Sequence, residues 1–145
     1  MTDRPPDIAY PALLSSKGYF YRADTSLELG AHPRSLFDET VWLAQAGKLS
    51  LLDSAGRQYD LVDWKRIPPF GGLRSLPHRL LFSVFATPLL EDERQLSLEA
   101  FKKEIARVVS SRYSYGPDKL SSEDMMAQMS DANSYKKVMA FVPSL

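Results

Sequence analysis

A single α+β domain is the fold this sequence predicts, and three observations carry that expectation. Apolar residues recur at helical spacing through 35–46 and 97–113. They alternate at strand spacing through 49–61, on either side of a turn-forming Asp-Ser-Ala-Gly. The 145 residues match the usual size of one domain, and no linker is long enough to divide them. The expected sheet is antiparallel or mixed, of four to six strands, with the two main helices covering one face.

The elements follow in order. Residues 1–16 carry Pro5, Pro6 and Pro11 with little periodicity, and read as an extended arm preceding a domain over 17–145. Gly18 opens the aromatic run Tyr19-Phe20-Tyr21-Arg22, which has strand character. Asp24 to Pro33 reads as a loop or a short strand through Leu27 and Leu29. Ser35 is placed to cap a helix whose apolar face is Leu36, Phe37, Val41, Trp42 and Ala44, and Gly47 is its natural stop. Leu49 and Leu51, then Tyr59 and Leu61, flank Asp53-Ser54-Ala55-Gly56 as a hairpin.

Residues 64–79 form a Pro/Gly-rich connection leading into a strand over Arg79 to Ala86. That strand is apolar on both faces and therefore expected to be central. Leu89 to Gln95 reads as an exposed acidic turn. Ser97 caps the strongest helix, in which Leu98, Phe101, Ile105, Val108 and Val109 face inward while Lys102, Lys103 and Arg107 face away. Leu96 and Phe101 are spaced for a hydrophobic staple, and Gly116-Pro117 ends the element. A short helix is expected over Ser122 to Met129 and a closing strand over Tyr135 to Val142.

Composition narrows the function classes. Eighteen acids balance eighteen bases, which argues against a dedicated nucleic-acid binder. There is no cysteine, and the N-terminus lacks a basic region followed by an apolar one, so a cytoplasmic location is expected. The most apolar stretch, Leu80 to Leu90, is interrupted by Ser83, Thr87 and Pro88 and falls short of the roughly 20 apolar residues of a membrane span.

Common reaction templates are met poorly. The two histidines, His32 and His78, lie far apart and in no metal-binding spacing, so no metal or cofactor is expected. There is no Gly-x-Ser-x-Gly elbow and no phosphate-binding glycine loop; Gly71-Gly72 leads into a strand rather than a helix. The carboxylate pairs Asp38-Glu39, Asp60 with Asp63 and Glu91-Asp92-Glu93 fall on polar faces or turns, where they solvate the surface. Met125, Met126 and Met129 read as one amphipathic turn packing on the core.

One segment departs from this even background. From Trp64 to Leu90 there is no acid, while Lys65, Arg66, Arg74 and Arg79 are all positive. Trp64, Phe70 and Leu73 interleave apolar anchors, and Pro68-Pro69 stiffens the approach. Arginine and aromatic side chains dominate interface hot spots because they combine area with directional bonding. Trp64, Lys65, Arg66, Phe70, Arg74, His78 and Arg79 are therefore the candidate partner-binding residues.

The stretch Ala44-Gln45-Ala46-Gly47-Lys48-Leu49-Ser50-Leu51-Leu52-Asp53-Ser54-Ala55-Gly56-Arg57-Gln58-Tyr59 resembles a helix-to-hairpin unit of small bacterial domains, among them immunity proteins that neutralise polymorphic toxins. Those proteins share no catalytic residues. The resemblance implies a non-enzymatic protein whose partner is another protein, a toxin or a secretion component. Many of its members carry a strong net charge, whereas this chain is neutral. Two alternatives remain open. One is a small enzyme or binder for an anionic ligand, with Arg66, Arg74 and His78 converging on a pocket. The other is single-stranded nucleic-acid binding with stacking on Trp64 and Phe70.

Overall fold

The computed structural model describes residues 7–16, 19–67, 83–112 and 121–143. Along the chain these form β1 (Ala12–Ser16), β2 (Tyr19–Ala23), α1 (Ser26–Gly30), β3 (Ala31–Pro33), a 3-10 turn (Arg34–Leu36), α2 (Phe37–Gln45), β4 (Leu49–Leu52), β5 (Arg57–Arg66), β6 (Ser83–Gln95), α3 (Leu98–Arg112), α4 (Ser122–Gln128) and α5 (Tyr135–Met139). The strands make one six-stranded sheet in the order β2-β1-β4-β5-β6-β3, and every neighbouring pair is antiparallel. The α+β class and the strand number thus match expectation.

Side chains of a strand alternate between faces, so adjacent leucines in one strand must feed opposite layers. Leu13 pairs with Leu52 and Leu14 with Leu51. Leu13 and Leu52 enter a core with Phe101, Ile105 and Val109 of α3, Met125 of α4 and Val138 of α5. Leu14 and Leu51 enter the other core with Leu29, Phe37, Ala44, Leu61, Trp64 and Val84. The two main helices, α2 and α3, therefore sit in different layers, not on one shared face as expected. The reason lies in β1 and β4, which are apolar on both faces and need cover on both.

Local chemistry explains where the elements stop. Helix α2 ends in a Schellman arrangement: Lys48 N–H donates to the Leu43 carbonyl and Gly47 N–H to the Ala44 carbonyl, each at 3.0 Å. Gly47 takes φ 72° there, a conformation that costs glycine little. Ser97 caps α3 through Ala100 N–H, and Ser121 and Asp124 form a capping box on α4.

The β4–β5 turn is organised by Asp53, whose side chain is fully buried. One carboxylate oxygen accepts from Ala55 N–H and Arg57 N–H at 3.0 Å each. The other accepts from Arg57 Nε at 2.9 Å and Ala9 N–H at 3.3 Å, and pairs with the Arg57 terminal nitrogen at 2.8 Å. Arg57 also donates to the Asp7 carbonyl, and Ser54 to that of Pro11. Residues 7–11 are thus stitched to the turn before the chain enters β1. What reads as an extended arm becomes, from Ala12, a strand hydrogen-bonded on both sides.

Four further stretches differ from the sequence reading. Residues 24–33 divide into α1, capped by Thr25, and the short edge strand β3. Ser35 caps nothing; it lies in the 3-10 turn that precedes α2. Leu89 to Gln95 is no turn but the second half of β6, paired with β5. Tyr135 to Met139 is a helix, begun where Ser134 Oγ accepts from Lys137 N–H at 3.2 Å. In α3, Lys102 does not face away: its stem is buried, and its ammonium reaches Glu99 at 3.8 Å.

Candidate functional site

The site is the end of β5 farthest from the Asp53 turn, together with what packs beneath it. Register places Trp64 opposite Pro88, Lys65 opposite Thr87 and Arg66 opposite Ala86. Alternation sends Trp64 and Arg66 to one face and Lys65 to the other. Ile67 N–H extends the ladder by one bond to the Phe85 carbonyl at 2.9 Å.

Trp64 does not project outward as the sequence reading had it. It is 5% exposed and belongs to the α2-side core. Its indole meets the His32 ring edge to face, with centroids 4.2 Å apart at 73°. His32 in turn lies 5.7 Å from Phe37, tilted by 51°. Burial pushes the His32 imidazole down to about 4, so the ring is neutral at pH 7. Among the described residues, neither His32 Nε2 nor Trp64 Nε1 has a hydrogen-bond partner.

The side chains that end this strand are exposed. Lys65 and Arg66 both face water, and Ile67 is 44% exposed. The Arg66 guanidinium lies 6.0 Å from the centre of the Phe37 ring, within cation–π range. Leu36, which precedes Phe37 in the chain, is also exposed, as is Arg34.

Charge pairing differs sharply between the two ends of the β5–β6 ladder. At the turn end, Arg57 pairs with Asp53 and Glu93, Arg94 pairs with Asp60 at 2.9 Å, and the Tyr59 hydroxyl donates to Glu93 at 3.0 Å. The hydrogen bond from Arg94 holds the Asp60 carboxyl below its ordinary range. At the other end, Lys65 and Arg66 have no carboxylate partner among the described residues. The nearest acid in sequence, Asp63, accepts from Trp64 N–H at 2.8 Å and from Gln45 Nε2 at 3.3 Å.

Of the seven sequence-derived candidates, the structure thus places Lys65 and Arg66 on an exposed rim and Trp64 inside. Phe70, Arg74, His78 and Arg79 lie outside the described residues. His32 and Phe37 are additions that the sequence reading did not make. No local pattern marks His32: alternation from Leu27 and Leu29 falls on Ala31, and the burial of His32 comes from the pairing of β3 with β6.

Elsewhere, a groove of about 350 Å³ between α3 and α4 is lined by Lys103, Ala106, Arg107, Ser122, Glu123 and Met126. Its Arg107 is already bound to Glu104. It lies on the α3 side of the sheet, in the layer opposite Trp64. Among the described residues no three acids or histidines are gathered as metal ligands, and no helix is long and apolar enough to cross a membrane.

Comparison of the chain with protein-family models, curated proteins and solved structures finds no match.

Proposed function

We propose that this is a non-enzymatic binding protein that docks another protein on the rim formed by Lys65, Arg66 and Ile67. The observation that carries this reading is the unequal charge pairing along one ladder. Arg57 and Arg94 have carboxylates at the turn end, whereas Lys65 and Arg66 have none among the described residues. A guanidinium resting on an aromatic ring is partly ordered before any partner arrives, which lowers the entropy lost on docking. Exposed Ile67, which follows the two cations in the chain, adds apolar area to the charged end of the strand, a combination common in protein interfaces.

The partner that suits this rim is a protein surface bearing carboxylates around an apolar spot. The acid-free segment that continues from Ile67 extends the same chemistry in sequence through Arg74 and Arg79. The natural setting for such a protein is the bacterial cytoplasm, with a toxin or a secretion component as the bound partner, in line with the immunity-type resemblance of residues 44–59.

Affinity capture with purified chain as bait tests the reading. Wild type is expected to retain a partner that Lys65→Glu/Arg66→Glu loses at low salt, while both baits melt within about 2 °C of each other. Retention of the same partner by the double variant would refute the rim as the docking surface.

A further inference from the structure

We propose that His32 is an acid-operated latch: its neutral ring holds the edge strand β3 against β6, and taking up a proton releases that strand. The latch goes beyond the docking reading and does not depend on it.

The geometry begins with the strand. β3 has three residues, lies at the end of the sheet order and pairs with β6 alone, in the register Ala31 with Phe85, His32 with Val84 and Pro33 with Ser83. Within β3 only the central residue, His32, is buried. A strand so short is attached largely by what its one inward side chain does. Edge segments with few bonds open at lower free energy than the central ladder.

The surroundings of that side chain accept a neutral ring and not a charged one. From β5 the imidazole meets Trp64, from α2 it meets Phe37, and its register partner on β6 is Val84. None of these three titrates. The charged groups nearby are the wrong sign or too far out. Arg66 of β5 covers the Phe37 ring, and Arg34 follows β3 in the chain. Asp38 and Glu39 on α2 are exposed, and no carboxylate among the described residues comes within ion-pairing distance of the ring. Nε2 is buried and has no hydrogen-bond partner among the described residues. A protonated ring could draw on the Trp64 indole by cation–π attraction, but that gain is smaller than the desolvation of an unpaired charge. Swinging β3 outward restores water to the ring, and so release is the favoured response. The depressed basicity of His32 agrees with this geometry.

The sign follows from linkage. A base that is harder to protonate when latched makes release easier as pH falls below its free value, down to the latched one. Between pH 7.5 and pH 5 the opening constant of β3 is expected to rise about 30-fold, given a free histidine near 6.5 and a latched one at about 4.

Amide hydrogen exchange on the full chain reads this out, alongside tryptophan emission in a Trp42→Phe background where Trp64 is the sole indole. In wild type, protection factors at His32 and Val84 should fall about 30-fold at pH 5 while those of β1 and β4 hold. Trp64 emission should shift red over the same range. His32→Phe should remove both changes, and His32→Gln, polar but not titrating here, serves if the phenylalanine variant does not fold. Unchanged protection in wild type, an equal fall in the variant, or a fall spread evenly over β1 and β4 would each overturn the latch.

Discussion

Replacing Asp53 by alanine removes the acceptor around which the β4–β5 turn and residues 7–11 are arranged, and its effect can be worked from the contacts. Three backbone N–H groups lose their partner: Ala55, Arg57 and Ala9. At about 1 kcal/mol each, these contribute about 3 kcal/mol. The Arg57 guanidinium loses its best carboxylate. It remains a quarter exposed and keeps Glu93 at 3.8 Å, so water and Glu93 compensate most of that loss and about 1 kcal/mol more is expected. The sum, about 4 kcal/mol, corresponds to a fall of roughly 12 °C in Tm for a domain of this size. Urea unfolding followed by circular dichroism measures it, with limited proteolysis reporting whether residues 7–11 come loose at the same time. A double-mutant cycle with Arg57→Ala should return a coupling of at least about 1 kcal/mol. A loss below about 1 kcal/mol for Asp53→Ala, with the segment still protected, would refute the assignment of this carboxylate as the clamp.

Other expectations follow from the same contacts. Gly56 sits at φ 79°, and a Cβ there would run into the Tyr135 ring, so Gly56→Ala should cost about 3 kcal/mol. Combining it with Tyr135→Ala should cost clearly less than the two changes summed, as read by the same urea titration; strict additivity would contradict the clash. Burial and the hydrogen bond to Glu93 push the Tyr59 phenol up to about 12. A folded value above the unfolded 10 means stability is whole below pH 10 and is lost as pH rises toward 12, by about 2 kcal/mol. Tyr59→Phe should lose that alkaline sensitivity in a pH-stepped melt, and a variant as alkali-sensitive as wild type would argue against it.

The legible part of the fold was the part governed by local patterning. Helix α3 announced itself through Phe101, Ile105 and Val109 one above another, and β4 with the first half of β5 through Leu49, Leu51, Tyr59 and Leu61. Misreadings arose where tertiary partners decided. Tyr135, Val138 and Phe141 have strand character, yet Ser134 caps a helix there, and Val138 and Met139 enter the α3 core. Glu91 to Arg94 looked like a solvated turn because its charges are exposed. In β6 those charges find cross-strand partners, Arg94 with Gln58 and Asp60, which no single segment displays. Trp64 looked like an outward anchor within a basic run. The residue that buries it, His32, comes from a strand far away in sequence, and the long-range pairing β3–β6 brings the two together. Lys65 and Arg66 were legible as candidates because an acid-free stretch leaves no local carboxylate to claim them, and that depends on composition alone.

Site-specific photo-crosslinking tests the central claim most directly. A photoreactive residue placed at Ile67 on the rim should join the chain to its partner protein, whereas the same residue at exposed Gln128 of α4, in the opposite layer, should not. A partner captured from position 128 and never from 67 would contradict docking at the end of β5.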